Sequence, residues 1–210
     1  MEYHVWWPGG NDPFWLYNQN DNEDATIYYA VSGVPSLRVD GKFPGSPGTL
    51  PTLYTNRMAT DTHCTIEVSG NYVSATRHGS VTVRVTPDGS MPVDNWVLRI
   101  ALTSSEIYYN TSYNDTHYNV MFDMLPSYAG TPITLVGTNS VEVTHEFDVP
   151  DGWPSNQGLL AIEEDQTRVV AFVQPALSGA PHQREIFQAY SVPLLALDPT
   201  GVQTAPAVFS

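Results

Sequence analysis

From Cys64 onward the chain alternates apolar and polar residues in short runs, the period of two that a half-buried β-strand imposes. Val81, Val83 and Val85 point one way, with Thr82, Arg84 and Thr86 opposite. Trp96, Leu98, Ile100 and Leu102 make a second stripe, and Val141, Val143, His145 and Phe147 a third. Further strands are predicted at 65–68, 72–76, 107–109, 118–124, 133–136, 159–162, 169–174 and 186–192. Turn formers such as Pro87-Asp88-Gly89 and Asp151-Gly152 separate them, and Glu163-Glu164-Asp165 reads as a charged hairpin turn. Many short strands with no helical period between them predict an antiparallel, immunoglobulin-like β-sandwich over residues 63–195. Residues 196–210 offer few apolar anchors and read as a C-terminal tail or linker.

The first 62 residues follow a different pattern. Glu2 to Trp7 is β-prone until Pro8-Gly9-Gly10-Asn11-Asp12-Pro13 breaks it, so the chain is expected to start on a strand. Phe14 to Asn18 predicts a short helical turn, and Asn18 to Asp24 a polar loop. Apolar residues then crowd Ala25 to Val31, and Gly33 stands where a helix takes a left-handed cap. Val34-Pro35 forces extended backbone into Ser36 to Val39: helix, stop, strand. Asp40-Gly41 predicts a type I′ hairpin turn, since both of its central residues take positive φ. Leu50 to Met58 predicts the last helix of this unit, and Val34-Pro35 is the candidate cis peptide bond.

Val31-Ser32-Gly33-Val34-Pro35, a strand and Asp40-Gly41 resemble the second half of a thioredoxin fold, where a cis-proline loop lies beside a Cys-x-x-Cys motif. Cys64 is the only cysteine, so that dithiol is missing. A wider set of short motifs is similar in order to the outer-membrane-protein-28-like family: Tyr3-His4 with Asp12-Pro13-Phe14, Gly33-Val34-Pro35, Leu98-Arg99-Ile100, Asn119-Val120-Met121 with Met124-Leu125-Pro126, and 169–174. The resemblance implies a partial thioredoxin-like α/β unit at 1–62 joined to the β-sandwich, with half of the first sheet absent. A half-sheet exposes a strand edge, which favours association.

Charge changes the picture of partners. Among 210 residues, 22 acidic against 8 basic give a net charge of −14, so phosphate backbones and anionic lipid faces repel the chain. No apolar run approaches the roughly 20 residues that span a bilayer, and an exported chain would need a leader ahead of Met1. A lone cysteine forms no internal disulfide, and Cys64 reads as a small buried hydrophobe. Asn110 and Asn114 each start an N-glycosylation pattern.

Candidate chemistry is sparse. Asn18, Asn20, Asn22 and Asp24 alternate like calcium ligands but lack the glycine and terminal glutamate of that loop. The six histidines never fall in a zinc-type pair, so no metal or cofactor is expected. There is no Gly-x-Ser-x-Gly elbow, and adjacency puts His63 and Cys64 on opposite strand faces. Aromatic residues are the surplus: Tyr3, Val5, Trp6, Trp7 and Trp15 at the front, and Tyr109, Tyr113 and Tyr118 around 110–119, are the interface candidates. The expected function is a non-enzymatic extracellular or outer-cell-surface structural protein, self-associating or adhesive through the incomplete sheet and the aromatic loops. Two alternatives stay open: a thiol-disulfide oxidoreductase fragment whose Cys-x-x-Cys half lies elsewhere, and a carbohydrate-binding module using Tyr109, Tyr113 and Tyr118.

Overall fold

A computed structural model describes the chain except residues 8, 47, 110–114, 156–157, 178–183, 198–202 and 205–210; of 115, 155, 158, 159, 203 and 204 it describes the backbone only. The first elements in chain order are α1 (Pro13–Tyr17), α2 (Gln19–Tyr28), β1 (Leu37–Val39), β2 (Phe43–Gly45) and α3 (Leu50–Met58). Asp12 starts α1 by accepting the Phe14 and Trp15 amides on one carboxylate oxygen, with Pro13 in the first turn where its missing N–H costs nothing. Asn18 then caps α2 through the Asp21 amide. The stretch from Asn18 to Asp24, expected as loop, is therefore the cap and first turns of a helix, because a side-chain oxygen at the cap outweighs the modest propensity of Asn and Asp.

The end of α2 also differs from expectation. Tyr29 closes it and Ala30 takes the left-handed conformation (φ 49°), three residues before Gly33. Asp40 and Gly41 both have positive φ, yet the register Val39↔Phe43 leaves a three-residue loop instead of a two-residue turn. A Cβ at Gly41 would run into the Arg184 carbonyl, so the loop needs glycine for close approach as well as for φ. The Val34–Pro35 and Leu125–Pro126 peptide bonds are cis.

The remaining strands are β3 (Cys64–Val73), β4 (His78–Pro87), β5 (Trp96–Tyr109), β6 (Asp115–Leu125), β7 (Thr131–Ile133), β8 (Val141–Asp148), β9 (Gly152–Ser155), β10 (Gly158–Ala161), β11 (Thr167–Pro175), β12 (Gln188–Pro193) and β13 (Gln203–Thr204). The protein is mainly β, with little helix. One sheet runs β12-β11-β5-β6 with β7 on the first residues of β5; the other runs β13-β3-β4-β8, and every pairing is antiparallel. Their facing sides enclose one core: Ile66, Val68, Val81, Val83 and Val85 against Leu98, Ile100, Leu102, Val120, Val169 and Val173. This is the sandwich that the alternating stripes predict.

Two connections depart from the sequence reading. Glu163-Glu164-Asp165 is no hairpin turn: a 3-10 turn at Glu164–Gln166 carries the chain from β10, which pairs with β9, across to β11. Gln203 and Thr204, within the expected tail, pair with Val68 and Glu67 and cover the edge of β3.

Residues 1–62 lie against the sandwich. Phe14, from α1, sits inside the sandwich core with its ring edge-on to Trp153 at 5.1 Å. A second cluster forms on the outer side of the β5-containing sheet, where Ala25, Tyr28 and Tyr29 of α2 and its cap meet Ala101, Met121, Met124, Tyr128 and Phe172. Strand β5 is consequently buried on both faces from Trp96 to Ser104. The expected first strand is reduced to a single parallel bridge, with Glu2 N donating to Asn119 O at 2.9 Å and Met121 N to Glu2 O at 3.0 Å. Of the expected N-terminal strand only Glu2 bridges to β6, and residues 3–7 form no strand.

Candidate functional site

Three features converge where the N-terminal segment crosses the sandwich. The deepest is a buried arginine. Arg99 projects from the outer face of β5, is 2% exposed, and lies with its guanidinium 4.7 Å from the ring centroids of both Tyr28 and Tyr128. Its Nε donates to the Tyr128 carbonyl at 2.7 Å and its Nη1 to Gln174 Oε1 at 3.0 Å. Gln174 Nε2 in turn donates to the Tyr29 hydroxyl at 3.1 Å, and Tyr28 donates to the Pro175 carbonyl at 2.7 Å. The charge is met by carbonyl, carboxamide and two π-faces, the geometry a planar guanidinium suits. Tyr3 completes the cluster, edge-on to Tyr128 at 5.8 Å, and burial pushes its hydroxyl's pKa well up. Tyr3, expected at an interface, is therefore turned inward. In the sequence Arg99 and Gln174 belong to the family-like motifs Leu98-Arg99-Ile100 and 169–174 and, like Tyr28, Tyr29 and Tyr128, are not marked as site residues; a lone arginine in the apolar run 96–102 is the signal that points to them.

The second feature is a set of titratable groups around His4. The His4 amide donates to Asn22 Oδ1 at 2.7 Å, and its ring Nδ1 to Asp12 Oδ2 at 2.8 Å. Because a carboxylate only accepts, Nδ1 carries the proton. The other ring nitrogen, Nε2, is buried without a hydrogen-bond partner, 3.8 Å from Glu2 Oε2. His117, inward-facing opposite Ile107, places Nδ1 3.5 Å from the same oxygen, and the two imidazoles are 5.4 Å apart. Burial alone would lower the His4 pKa, but Asp12 and then Glu2 outweigh it and raise it to about 9. Burial likewise raises Glu2, yet His117 and His4 bring its carboxyl down to about 2. No sequence pair announces this meeting of two histidines, because β6 and the N-terminal segment come together only through the fold.

The third feature is the exposed apolar ledge beside them. Trp6 is 55% and Ile27 69% exposed, and with Val5, Trp7, Trp15, Glu23 and Thr26 they line a shallow depression of about 90 Å³. Four of the aromatic-front candidates, Val5, Trp6, Trp7 and Trp15, are thus brought together. Around the opposite loop the picture divides. Tyr118 is exposed, on the same outward face as Tyr108, whereas Tyr109 turns toward Phe14, ring centroids 6.1 Å apart. Tyr113, Asn110 and Asn114 lie outside the described residues. Cys64 is 2% exposed, and burial followed by the Asp88 charge pushes its thiol up to about 12. Such a thiol is a core hydrophobe.

The chain shares its fold with solved structures. HBP35 of Porphyromonas gingivalis superposes with a TM-score of 0.71 at 15% identity, covering 94% of this chain and 65% of that one. This chain therefore spans about two thirds of HBP35. A structural-genomics protein of Agrobacterium tumefaciens gives a TM-score of 0.52 at 11% identity, over 92% of this chain and 79% of that one. A domain of the outer membrane lipoprotein Omp28, also from Porphyromonas gingivalis, aligns at only 0.40 and 14% identity, over 62% of this chain and 86% of that one. No family model and no curated protein matches the sequence. With HBP35 and the Agrobacterium tumefaciens protein, what is shared at these identities is the architecture. Among the described residues, no helix is long and apolar enough to cross a membrane.

Proposed function

We propose that the protein is a non-enzymatic structural domain of the extracellular or outer-cell-surface kind, associating with further copies of itself through the ledge of Trp6, Trp7, Trp15 and Ile27. In this reading residues 63–195 supply the rigid sandwich and 1–62 the contact surface. The observation that carries it is the ledge: two large apolar side chains held largely in solvent beside two further tryptophans, with no role in either core cluster. The incomplete-sheet route draws no support from the N-terminal segment, where Glu2 alone bridges to β6 and residues 3–7 form no strand. Enclosed Cys64 offers no reactive thiol of its own, so the thiol-oxidoreductase alternative rests entirely on a Cys-x-x-Cys pair located elsewhere.

Self-association brings together two bodies of net charge −14, so it strengthens with ionic strength. Sedimentation velocity over a protein-concentration series at low and high salt tests this. The expected result is a reversible dimer or larger species, stronger in high salt and abolished in the double variant Trp6→Ser, Ile27→Ser. A monomer throughout, or association indifferent to that variant, overturns the proposal.

A further inference from the structure

The structure assigns a divalent transition-metal site to Glu2, His4 and His117, of the type that takes Zn²⁺ through two imidazoles and one carboxylate. One nitrogen from each ring and one Glu2 oxygen all lie within 4.8 Å of one another. The two distances that involve Glu2 Oε2, 3.8 Å to His4 Nε2 and 3.5 Å to His117 Nδ1, are close to the roughly 3.4 Å edge of a tetrahedron built on metal–ligand bonds of about 2.1 Å.

Two further observations point to a ligand and not to a chance cluster. His4 Nε2 is buried without a hydrogen-bond partner and faces Glu2 Oε2 at 3.8 Å; a bound metal ion displaces the proton from this nitrogen to solvent and takes up the lone pair left behind. Asp12 meanwhile holds the opposite nitrogen, Nδ1, at 2.8 Å, which fixes the tautomer and orientation a ligating histidine needs. That carboxylate is itself immobilised, since its other oxygen accepts the first two free amides of α1. The His4 side chain is 11% exposed and the Glu2 side chain 42%, so the site opens on the Glu2 side, where a water or a donor from another molecule takes the fourth position.

The site is independent of the apolar ledge, and the two are tested separately. Protein stripped with a chelator and kept dilute is titrated with ZnCl₂ by isothermal calorimetry. The expected result is one Zn²⁺ per chain, with at least tenfold weaker binding in His117→Ala and in Glu2→Gln. Asp12→Asn is the informative variant: asparagine caps α1 as well as aspartate does, so the fold stands, yet affinity falls about 10- to 100-fold because the His4 ring loses its anchor. His78, which pairs with exposed Glu146 and Asp148 on the outer face of β4, is the control, and His78→Ala leaves binding unchanged. Circular dichroism of each variant verifies folding. Absence of stoichiometric binding by the folded protein, or binding that survives His117→Ala, overturns the assignment.

Discussion

Arg99 and Tyr128 are held to each other twice, by the guanidinium 4.7 Å from the ring centroid and by an Nε hydrogen bond of 2.7 Å to the same residue's carbonyl. This double contact clamps the turn after β6 onto the outer face of β5, beneath α2. It puts a full positive charge where a sandwich strand normally faces water, and uncharged oxygens and rings solvate that charge in place of water.

The clamp makes a substitution order testable. Arg99→Lys keeps the charge but loses the planar fork, leaving an ammonium buried among groups spaced for a guanidinium; a destabilisation of about 2–4 kcal/mol is expected. Arg99→Met removes the charge and packs between the same rings, so its cost is smaller. Urea unfolding of the three proteins checks the order. A lysine variant as stable as the parent shows that the fork contributes nothing.

Cys64 gives a chemical prediction. With its thiol pushed up to about 12, only about one molecule in ten thousand is thiolate at pH 8. Ellman's reagent is expected to leave the native protein untouched at that pH and to titrate one thiol per chain after denaturation in guanidinium. Rapid labelling of the folded protein contradicts the enclosed position.

Asp123 sits beside a β-bulge, where the register of β6 against β5 shifts and Phe122 becomes the additional residue. Burial, then the like charge of Asp21, raises its carboxyl from the ordinary 3.8 to about 6. The folded state thus holds this proton more tightly than the unfolded chain does. Asp123 therefore opposes folding above pH 6, and the penalty fades as pH falls from about 6 toward 4. Asp123→Asn keeps the oxygen that accepts the Met124 amide at 3.0 Å and removes the charge. A gain of about 1–2 kcal/mol is expected at pH 7, shrinking toward zero near pH 4. Chemical denaturation at both pH values measures it, and a gain that does not change with pH rules out the charge as its source.

The inward stripes Val81-Val83-Val85 and Trp96-Leu98-Ile100-Leu102 were readable because alternation is a local property of the backbone: each strand declares its own apolar side. The opposite stripe of β5, Val97, Arg99, Ala101 and Thr103, was not assigned, although the near-continuous apolar run hinted at burial on both faces. Nothing within β5 says what covers that second face. The answer is Tyr28 and Tyr29, some seventy residues earlier in the chain. Ala30 in place of Gly33 as the left-handed residue shows the same limit, since Tyr29 is pinned by its place in the outer cluster and the helix stops where packing requires.

By itself, then, the order of residues determined the two-layer β architecture, the helix–hairpin–helix succession before it and the strong negative charge, because these follow from periodicity, turn chemistry and counting. Only the folded molecule decided that Phe14 enters the sandwich core, that an arginine is enclosed by tyrosines, and that His4 meets His117. Those are encounters between segments far apart along the chain. Their energy comes from burying surfaces against each other, and no local pattern records which surface will be the partner.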